Sequence, residues 1–571
     1  MFRGYQFLSK FFKDYCARSK NSFVNIFTWD TSPSNTKNRI LVVCFFFVLL
    51  FGGLSYRLII LATNDYVVGD KYQAKNNYFR KEIVDRNGNL LAVNLPSSSL
   101  FANPQKVINP AESIDKLTKI FPELNKAKLL AELKTNKSFI WIKRDLLPNQ
   151  QEAVSNLAMP GFSLEEEQKR VYTYSNLLSH VIGYVGRDFV GLAGLERAYD
   201  KFLTNSDPEL SQKEQRNKPL ELSIDVRLQN ILNEEIDKTL KEFSAVGAVG
   251  IIVNPNNGEV LALVSKPDFN PHYPSEAKPE ELFNMATLAT YEMGSIAKAL
   301  AMAIAFDTNI ITMNDAYDIS YMKVCGFNIK DYHPKQGWHS VPEIFLHSSN
   351  IGMGQIILEV GKNNFKAYLK KLGLLDQLNI ELPERGTPLF PSDKRWNDLT
   401  TVTVSYGYGI SYSPLHFVQA MVPVVNGGIL YDLTLIKRKD QRLEGTRIFD
   451  EKTSKQMSEL FRLVVKEGTG RKADVKGYYV GGKTGTAEKL SAAGNGKRKY
   501  LKNSRMSSFL GVLPAFNPQY LVYIVFDEPK GTKESFGFAT AGWTAAPTAG
   551  RVLERMVSLY GIEPIYYGEE L

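Results

Sequence analysis

A long apolar segment near the N-terminus constrains the fold more than any other feature of this chain. Residues Ile40–Leu54 carry no charge, and beyond Arg57 the apolar run continues through Leu58–Leu61. As a helix rising about 1.5 Å per residue, residues 40–61 would span about 33 Å, which is enough to cross the hydrocarbon core of a bilayer. Because apolar side chains surround the whole circumference, we predict a transmembrane helix at residues 40–61.

Two other interpretations of this segment, a cleaved signal peptide and a buried core helix, fit less well. A tail of 39 residues precedes the run, no small-residue cleavage site follows it, and its Phe, Leu and Val side chains on every face favour lipid. The tail, residues 1–39, has seven basic residues (Arg3, Lys10, Lys13, Arg18, Lys20, Lys37, Arg39) and two acidic ones (Asp14, Asp30). Since basic residues accumulate on the cytoplasmic side, we expect a cytoplasmic tail and an external C-terminal part.

Length and composition indicate a folded protein of more than one domain. A chain of 571 residues is too long for one hydrophobic core, and its 44% hydrophobic and 23% charged residues exclude wholesale disorder. The net charge is +9, but the basic residues are spread along the chain with acidic residues between them, and no nucleic-acid-binding module is recognisable. We therefore expect a basic surface that faces an anionic membrane or polymer, and no nucleic-acid partner.

Cysteine and histidine usage predicts neither a disulfide nor a metal site. On the predicted topology Cys16 is cytoplasmic, Cys44 lies in the membrane and Cys325 is external, so no two of them can pair within one chain. The six histidines follow no ligand spacing, and no zinc pattern is present. We expect no metal and no cofactor.

The external part divides into residues 62–221 and residues 222–571. The first region mixes short alternating stretches with charged helical ones, and Asp85–Gly88 suits a hairpin turn. The second has strand patterns at both ends and helical patterns between them. Strands are predicted at Ala248–Val253, Glu259–Val264, Ser508–Leu513 and Leu521–Phe526, and helices at Leu228–Phe243 and Arg551–Leu559. This order predicts an α/β (α+β) fold in which one sheet is covered by helices.

The first candidate catalytic motif is Ser295-Ile-Ala-Lys298. Ser-x-x-Lys is weak by itself, because it recurs at Ser34, Ser113, Ser275 and Ser320. At Ser295, however, an apolar helix former follows, and a spacing of three places Lys298 over the serine. A neutral lysine could take the serine proton, and burial beside a second cation would lower its pKa enough. The alternative is a helix-capping serine followed by a lysine exposed to solvent.

Two further motifs follow in the chain, Ser348-Ser-Asn350 and Lys483-Thr-Gly485. The first alone could be an ordinary loop, and Ser19-Lys20-Asn21 matches the same pattern. The second follows Gly481-Gly482 on a predicted strand that a substrate backbone could approach closely, although an edge strand with a lysine would look the same. Three motifs in this order, behind a membrane anchor, favour a serine acyl-transfer site.

These motifs and longer stretches around them resemble the class B penicillin-binding proteins, and most of all their cell-division D,D-transpeptidases of the penicillin-binding protein 3 type. The matching stretches are Glu292–Lys298, Ser348–Met353, Ser405–Gly409, Gly482–Lys489 and Asp527–Gly531, and near the N-terminus Asp85–Ala92, Arg170–Tyr172 and Gly191–Glu196. The resemblance implies a cytoplasmic tail (1–39), a transmembrane helix (40–61), an elongated α/β pedestal domain of the dimerisation type (62–221) and a transpeptidase domain with an antiparallel sheet flanked by helices (222–571).

The chain departs from the family pattern at three positions, none of which removes a catalytic group. Lys81 replaces the usual Gly, and Met293 and Thr173 each replace a Pro. Asn350, where the elongation branch has Asp, favours the division branch. Without a glycosyltransferase module before the pedestal, the resemblance implies cross-linking activity only.

The resemblance also implies a role for each site residue. Ser295 would attack a D-Ala-D-Ala stem peptide after Lys298 takes its proton, and the backbone amides of Ser295 and Thr486 would stabilise the oxyanion. The implied catalytic residues are Ser295, Lys298, Ser348 and Lys483, and the implied substrate-binding residues are Asn350, Tyr408, Thr484, Gly485 and Thr486. β-Lactams would acylate Ser295 as substrate mimics.

The implied setting is the bacterial inner membrane at the division septum, with the catalytic domain in the periplasm. Implied partners are peptidoglycan stem peptides, β-lactams and division-complex proteins that include a membrane glycan polymerase. Four alternatives stay open: an elongation-type transpeptidase, a membrane-bound β-lactam sensor, a β-lactam hydrolase, and a non-catalytic division scaffold.

Overall fold

The computed structural model describes residues 33–63, 80–204, 218–439, 443–490 and 500–564. Most of the predicted cytoplasmic tail lies outside these ranges. Contacts divide the chain into two compact units, Met1–Asn77 and Tyr78–Leu571, which are described separately below.

The first unit contributes one long helix, α1 (Pro33–Thr63). Its window Ile40–Arg57 is long and apolar enough to cross a membrane, and none of that window is buried against protein. Within the described ranges α1 is the one helix that meets both conditions. A candidate membrane helix thus lies at the position that the apolar run predicts.

The second unit begins with a five-stranded sheet. Strand β2 pairs antiparallel with β1, β3 and β4, whereas β5 runs parallel to β1. The strands are β1 (Ile83–Val84), β2 (Leu90–Ala102), β3 (Ile140–Leu146), β4 (Phe162–Tyr172) and β5 (Leu220–Glu221). Within residues 80–204 these helices accompany them: α2 (Pro110–Ile120), α3 (Lys126–Leu133), α4 (Pro148–Asn156), α5 (Ser179–Ile182), α6 (Gly194–Ala198) and α7 (Asp200–Thr204).

A buried ion cluster holds this region together. Glu196 is fully buried and accepts from Arg80 Nε at 2.5 Å and from Arg170 Nε at 2.8 Å. Arg80 also pairs with Asp200 at 2.8 Å. A buried charge is tolerated only when it is paired and hydrogen-bonded, and here each guanidinium reaches the carboxylate directly.

The larger part of the second unit is a five-stranded antiparallel sheet in the order β14-β15-β16-β6-β7. Early strands β6 and β7 join late strands β14–β16 in it, so the predicted α/β (α+β) class is confirmed. The strands are β6 (Gly247–Val253), β7 (Val260–Lys266), β14 (Gly481–Leu490), β15 (Tyr500–Leu513) and β16 (Tyr520–Asp527). Six short strands lie apart from it: β8 (Ala316–Asp318), β9 (Met322–Val324), β10 (Phe327–Ile329), β11 (Trp338–Ser340), β12 (Ile429–Leu430) and β13 (Thr446–Arg447).

Helices cover both faces of the large sheet. The period of two along β16 sends Tyr523 and Val525 into one hydrophobic core and Val522 and Ile524 into the other. The helices are α8 (Val226–Glu242), α9 (Pro279–Leu282), α10 (Ala297–Asp307), α11 (Val341–Leu346), α12 (Asn350–Val360), α13 (Lys362–Lys371), α14 (Asp398–Ser405), α15 (Pro414–Val425), α16 (Glu451–Lys466) and α17 (Ala545–Tyr560). The closing helix α17 begins six residues before its predicted start.

Helix α10 is buried along almost its whole length. Each residue from Ala297 to Phe306 is buried, as expected for a helix that is apolar on every face. Lys298 is the one charged residue in that stretch. The fold therefore places Lys298 in the core, one helical turn after Ser295.

Candidate active site

Ser295 lies in a short 3-10 turn, Gly294–Ile296, that leads into α10. This turn packs so closely against β14 that a side chain would not fit at two positions, both of which are glycine. Gly294 has φ +59°, and a Cβ there would lie 2.8 Å from the Thr486 carbonyl oxygen. A Cβ on Gly485 would lie 3.2 Å from the backbone nitrogen of Ile296. The two glycines thus let the serine turn lie directly on the strand.

Lys298 occupies the centre of the site and is only 1% exposed. Its Nζ lies 3.1 Å from Ser295 Oγ, 3.1 Å from Ser348 Oγ and 2.6 Å from the Ser348 carbonyl oxygen. A neutral amine has two N–H donors and one lone pair, so it can donate to Ser348 and accept from the Ser295 hydroxyl. The predicted pairing of Ser295 with Lys298 thus appears in the structure as a direct contact.

Ser348 connects the two lysines of the site. It precedes α12 and adopts the left-handed conformation, with φ 57°, which is unusual for a residue with a Cβ. This conformation directs both its carbonyl oxygen and its hydroxyl at Lys298. Lys483, fully buried on β14, donates to Ser348 Oγ at 3.0 Å and to the Thr484 carbonyl oxygen at 3.2 Å.

Burial lowers the pKa of both amines. Burial lowers the pKa of Lys298 well below its usual value, the nearby Lys483 cation lowers it further, and Asp331 acts in the opposite direction. Burial lowers the pKa of Lys483 to about 7. The lowered pKa favours the neutral form of Lys298, which could act as a base, whereas Lys483 keeps a positive charge on part of the molecules near neutral pH.

Asp331 belongs to the site but matches no motif. Its carboxylate accepts from Ser349 Oγ at 2.6 Å, from the Ile351 amide at 3.1 Å and from the Asn350 amide. The Asn350 side chain donates to the Lys330 carbonyl oxygen at 2.7 Å. Residues 330–331 therefore hold the Ser348–Asn350 turn in place, and no local pattern 19 residues upstream predicts this.

The remaining candidate residues lie along β14 and the turn after α14. Thr484 directs its hydroxyl at Thr469 Oγ1, whereas Gly485 and Thr486 lie beside the serine turn. The Tyr408 ring packs edge-on against Tyr500, with 5.5 Å between centroids, and its hydroxyl accepts from the Glu488 amide. The structure thus brings Ser295, Lys298, Ser348 and Lys483 into contact, while Thr484 contacts Thr469.

The arrangement can support acyl transfer through a serine. It combines a hydroxyl that could act as nucleophile, an amine whose lowered pKa suits a base, a second hydroxyl between two amines, and a lysine that could bind a substrate carboxylate. Among the described residues no group of three or more His, Cys, Asp or Glu side chains could hold a metal ion.

The chain matches two known domain families. Residues 248–552 match the penicillin-binding protein transpeptidase domain, and residues 77–223 match the penicillin-binding protein dimerisation domain.

Three curated relatives resemble most of the chain. A probable peptidoglycan D,D-transpeptidase FtsI of Caulobacter vibrioides is 38% identical over 85% of this chain and 82% of its own. The stage V sporulation protein D of Bacillus subtilis is 30% identical over 91% and 86%. The peptidoglycan D,D-transpeptidase FtsI of Escherichia coli K12 is 28% identical over 85% and 84%.

Among solved structures, penicillin-binding protein 3 of Mycobacterium tuberculosis in complex with ampicillin shares the fold. Its TM-score is 0.68 at 20% identity, and the match covers 86% of this chain and 97% of that one.

The rate of acylation by a penicillin should depend on pH along a bell-shaped curve. On the acid side Lys298 gains a proton and can no longer accept one from Ser295. On the alkaline side Lys483 loses its charge as the pH rises through about 7, which weakens its attraction for the carboxylate of the ligand. The second-order rate constant, measured from about pH 5 to about pH 10, reports both groups in the free enzyme.

Two controls separate the limbs of this curve. The arginine of Lys483→Arg keeps its charge at all these pH values, so the alkaline limb of this variant should move to higher pH. A penicillin methyl ester lacks the carboxylate and should show the acid limb alone. An alkaline limb that stays near pH 7 in both experiments would contradict the assignment of Lys483.

Asp331→Asn should slow penicillin acylation at least roughly tenfold, because hydrogen bonds to a charged group contribute about 1.5–3 kcal/mol each. Since the Asp331 charge raises the pKa of Lys298, its removal should also move the acid limb to lower pH. The matched control is Asp318→Asn, an exposed carboxylate that accepts from Ser320. Equal rates and equal acid limbs for both variants would show that Asp331 does not position the site.

Proposed function

The chain belongs to the penicillin-binding protein transpeptidases, and we propose that it is a serine D,D-transpeptidase that cross-links the stem peptides of peptidoglycan. The observation that carries this proposal is the contact between Ser295 Oγ and the buried Lys298 amine, with Ser348 Oγ between Lys298 and Lys483. A serine next to a base with lowered pKa is an activated nucleophile.

In the first step Ser295 attacks the carbonyl carbon of the penultimate D-Ala of the donor peptide. Lys298 takes the hydroxyl proton while the Oγ–C bond forms. The backbone amides of Ser295 and Thr486 stabilise the negative charge on the carbonyl oxygen. The C–N bond then breaks, and the terminal D-Ala leaves after Ser348 relays a proton to its nitrogen.

In the second step the amine of a neighbouring stem peptide attacks the ester carbon. The new C–N bond forms, the Ser295 Oγ–C bond breaks, and the proton lost by the amine returns to Ser295 through Lys298. The cation of Lys483, with Thr484 and Thr486, binds the terminal carboxylate of the donor. Asn350 holds a substrate amide, Gly485 allows close approach to β14, and Tyr408 forms one wall.

The setting belongs to the same proposal. Residues 1–39 form a cytoplasmic tail, 40–61 the anchor, 62–221 the pedestal and 222–571 the catalytic domain, which lies in the periplasm at the division septum. Division proteins, including a membrane glycan polymerase, are its partners. Support comes from the basic tail, the candidate membrane helix and the similarity to division transpeptidases.

A transfer assay with a D-Ala-D-Ala stem peptide and an amine acceptor tests this function. Wild-type protein should release D-alanine and form the cross-linked dimer, because an acyl-enzyme is passed to the amine. Ser295→Ala should abolish both products. The matched control is Ser275→Ala, which removes an exposed serine from another Ser-x-x-Lys sequence and should keep full activity.

The products of this assay also distinguish the alternatives. Release of D-alanine with hydrolysed donor and no dimer would indicate a hydrolase. Absence of turnover in wild-type protein would indicate a scaffold. Activity that survives in Ser295→Ala would contradict the nucleophile assignment.

A further inference from the structure

Four large aromatic side chains are exposed within 18 residues, next to the candidate active site. They are Tyr321 (61% exposed), Phe327 (63%), Tyr332 (69%) and Trp338 (74%), and we call them the aromatic surface. Apolar side chains concentrated on a soluble surface usually mark an interaction site. Nothing in the proposed acyl-transfer chemistry uses them.

The aromatic surface lies on a small lobe built from two antiparallel strand pairs. Strands β9 and β10 form a hairpin, and β8 pairs with β11. Gly337, directly before β11, donates to Ser320 Oγ at 2.8 Å and accepts from the Ile319 amide at 3.1 Å. Tyr321 follows Ser320 and Trp338 follows Gly337, so each lies next to a residue of this contact. The Tyr321 hydroxyl donates to Asn328, the neighbour of Phe327, at 3.0 Å.

The lobe is continuous with the catalytic turn. Asp331 binds Ser349 and the Asn350 amide, and Lys330 binds the Asn350 side chain. Tyr332 is the next residue in the chain. A polymer whose peptide occupies the acyl-transfer site would therefore pass close to the backbone of Tyr332, one member of the aromatic surface.

The charge of the lobe favours an anionic polymer. The lobe, residues 316–340, contains three exposed lysines, Lys323, Lys330 and Lys335, and two acidic residues, Asp318 and Asp331. The Asp331 carboxylate is already engaged by the catalytic turn. The outward charge of this segment is therefore positive, which attracts carboxylates.

We propose that the aromatic surface binds the glycan strand of peptidoglycan, with the neighbouring lysines facing the carboxylates of its stem peptides. Sugar rings present flat C–H faces that stack on aromatic rings, and peptidoglycan combines such rings with carboxylate-bearing peptides. This inference rests on the proposed function, since it extends the peptide site to the sugar polymer that carries the peptide.

The test compares Phe327→Ala/Trp338→Ala with Tyr273→Ala/Phe516→Ala in the full-length protein in detergent. All four side chains are more than half exposed, so each double variant should fold, and the second pair lies outside the lobe. Three probes are used: a fluorescent penicillin, a short stem-peptide donor, and a donor still attached to glycan strands. Peptide-free glycan strands serve as competitor and as direct ligand.

In the Phe327→Ala/Trp338→Ala variant, the glycan-attached donor should require about tenfold higher concentration for half-maximal rate, because two rings that contact the sugars are lost. Penicillin labelling and the short donor should react as in wild type. Peptide-free strands should bind wild type and the control variant and compete with the glycan-attached donor, and they should bind the lobe variant about tenfold more weakly.

Two results would overturn the inference. One is equal binding of peptide-free strands to the wild type and the lobe variant, or no binding to either. The other is an equal loss with short and glycan-attached donors, which would assign the lobe to the peptide site. If wild-type protein reacts with no donor and no penicillin, the proposed function fails, while the direct binding of glycan strands still decides this inference.

Discussion

The burial of two lysine amines on either side of one hydroxyl is the constraint on which the rest of the site depends. Ser348 Oγ lies 3.1 Å from Lys298 Nζ and 3.0 Å from Lys483 Nζ, and both lysines are withdrawn from solvent. Two adjacent charged amines in a desolvated site are unfavourable: burial lowers the pKa of both lysines, and the Lys483 cation lowers that of Lys298 further. In the proposed mechanism this favours the neutral Lys298 amine that takes the proton of Ser295. This arrangement requires the surrounding fold to hold a buried polar cluster in a fixed geometry.

The fold meets that demand by bringing distant parts of the chain into backbone contact. The serine turn lies against β14 because Gly294 and Gly485 leave no side chain between them. The Ser348 turn is held from its other side by Asp331, and its left-handed φ directs two oxygens at Lys298. The lobe that supplies Asp331 also carries the aromatic surface. The proposed binding of the glycan strand and the proposed proton relay through Ser348 therefore both depend on this lobe.

The sequence predicted the parts of this arrangement that have a local pattern. Ser295 could be distinguished from the other Ser-x-x-Lys serines because a strongly apolar helix follows it. In the structure this helix, α10, is buried in the core. Asp331 could not be predicted, since its partners lie 18–20 residues away in the chain, beyond β11 and α11. The conformation of Ser348 and the contact of Thr484 with Thr469 also depend on tertiary packing. The start of α17 was predicted late because Ala545–Gly550 has small residues and no strong apolar period.

The most direct test of the account is to locate the acyl group by mass spectrometry. Full-length protein is treated with a penicillin, quenched in acid and digested. We predict one penicilloyl group per chain, on the peptide that contains Ser295 and on the serine itself, with none on Ser275 or Ser320. An adduct on another serine, or an unmodified Ser295 peptide after complete labelling, would contradict the assignment of Ser295 as the nucleophile.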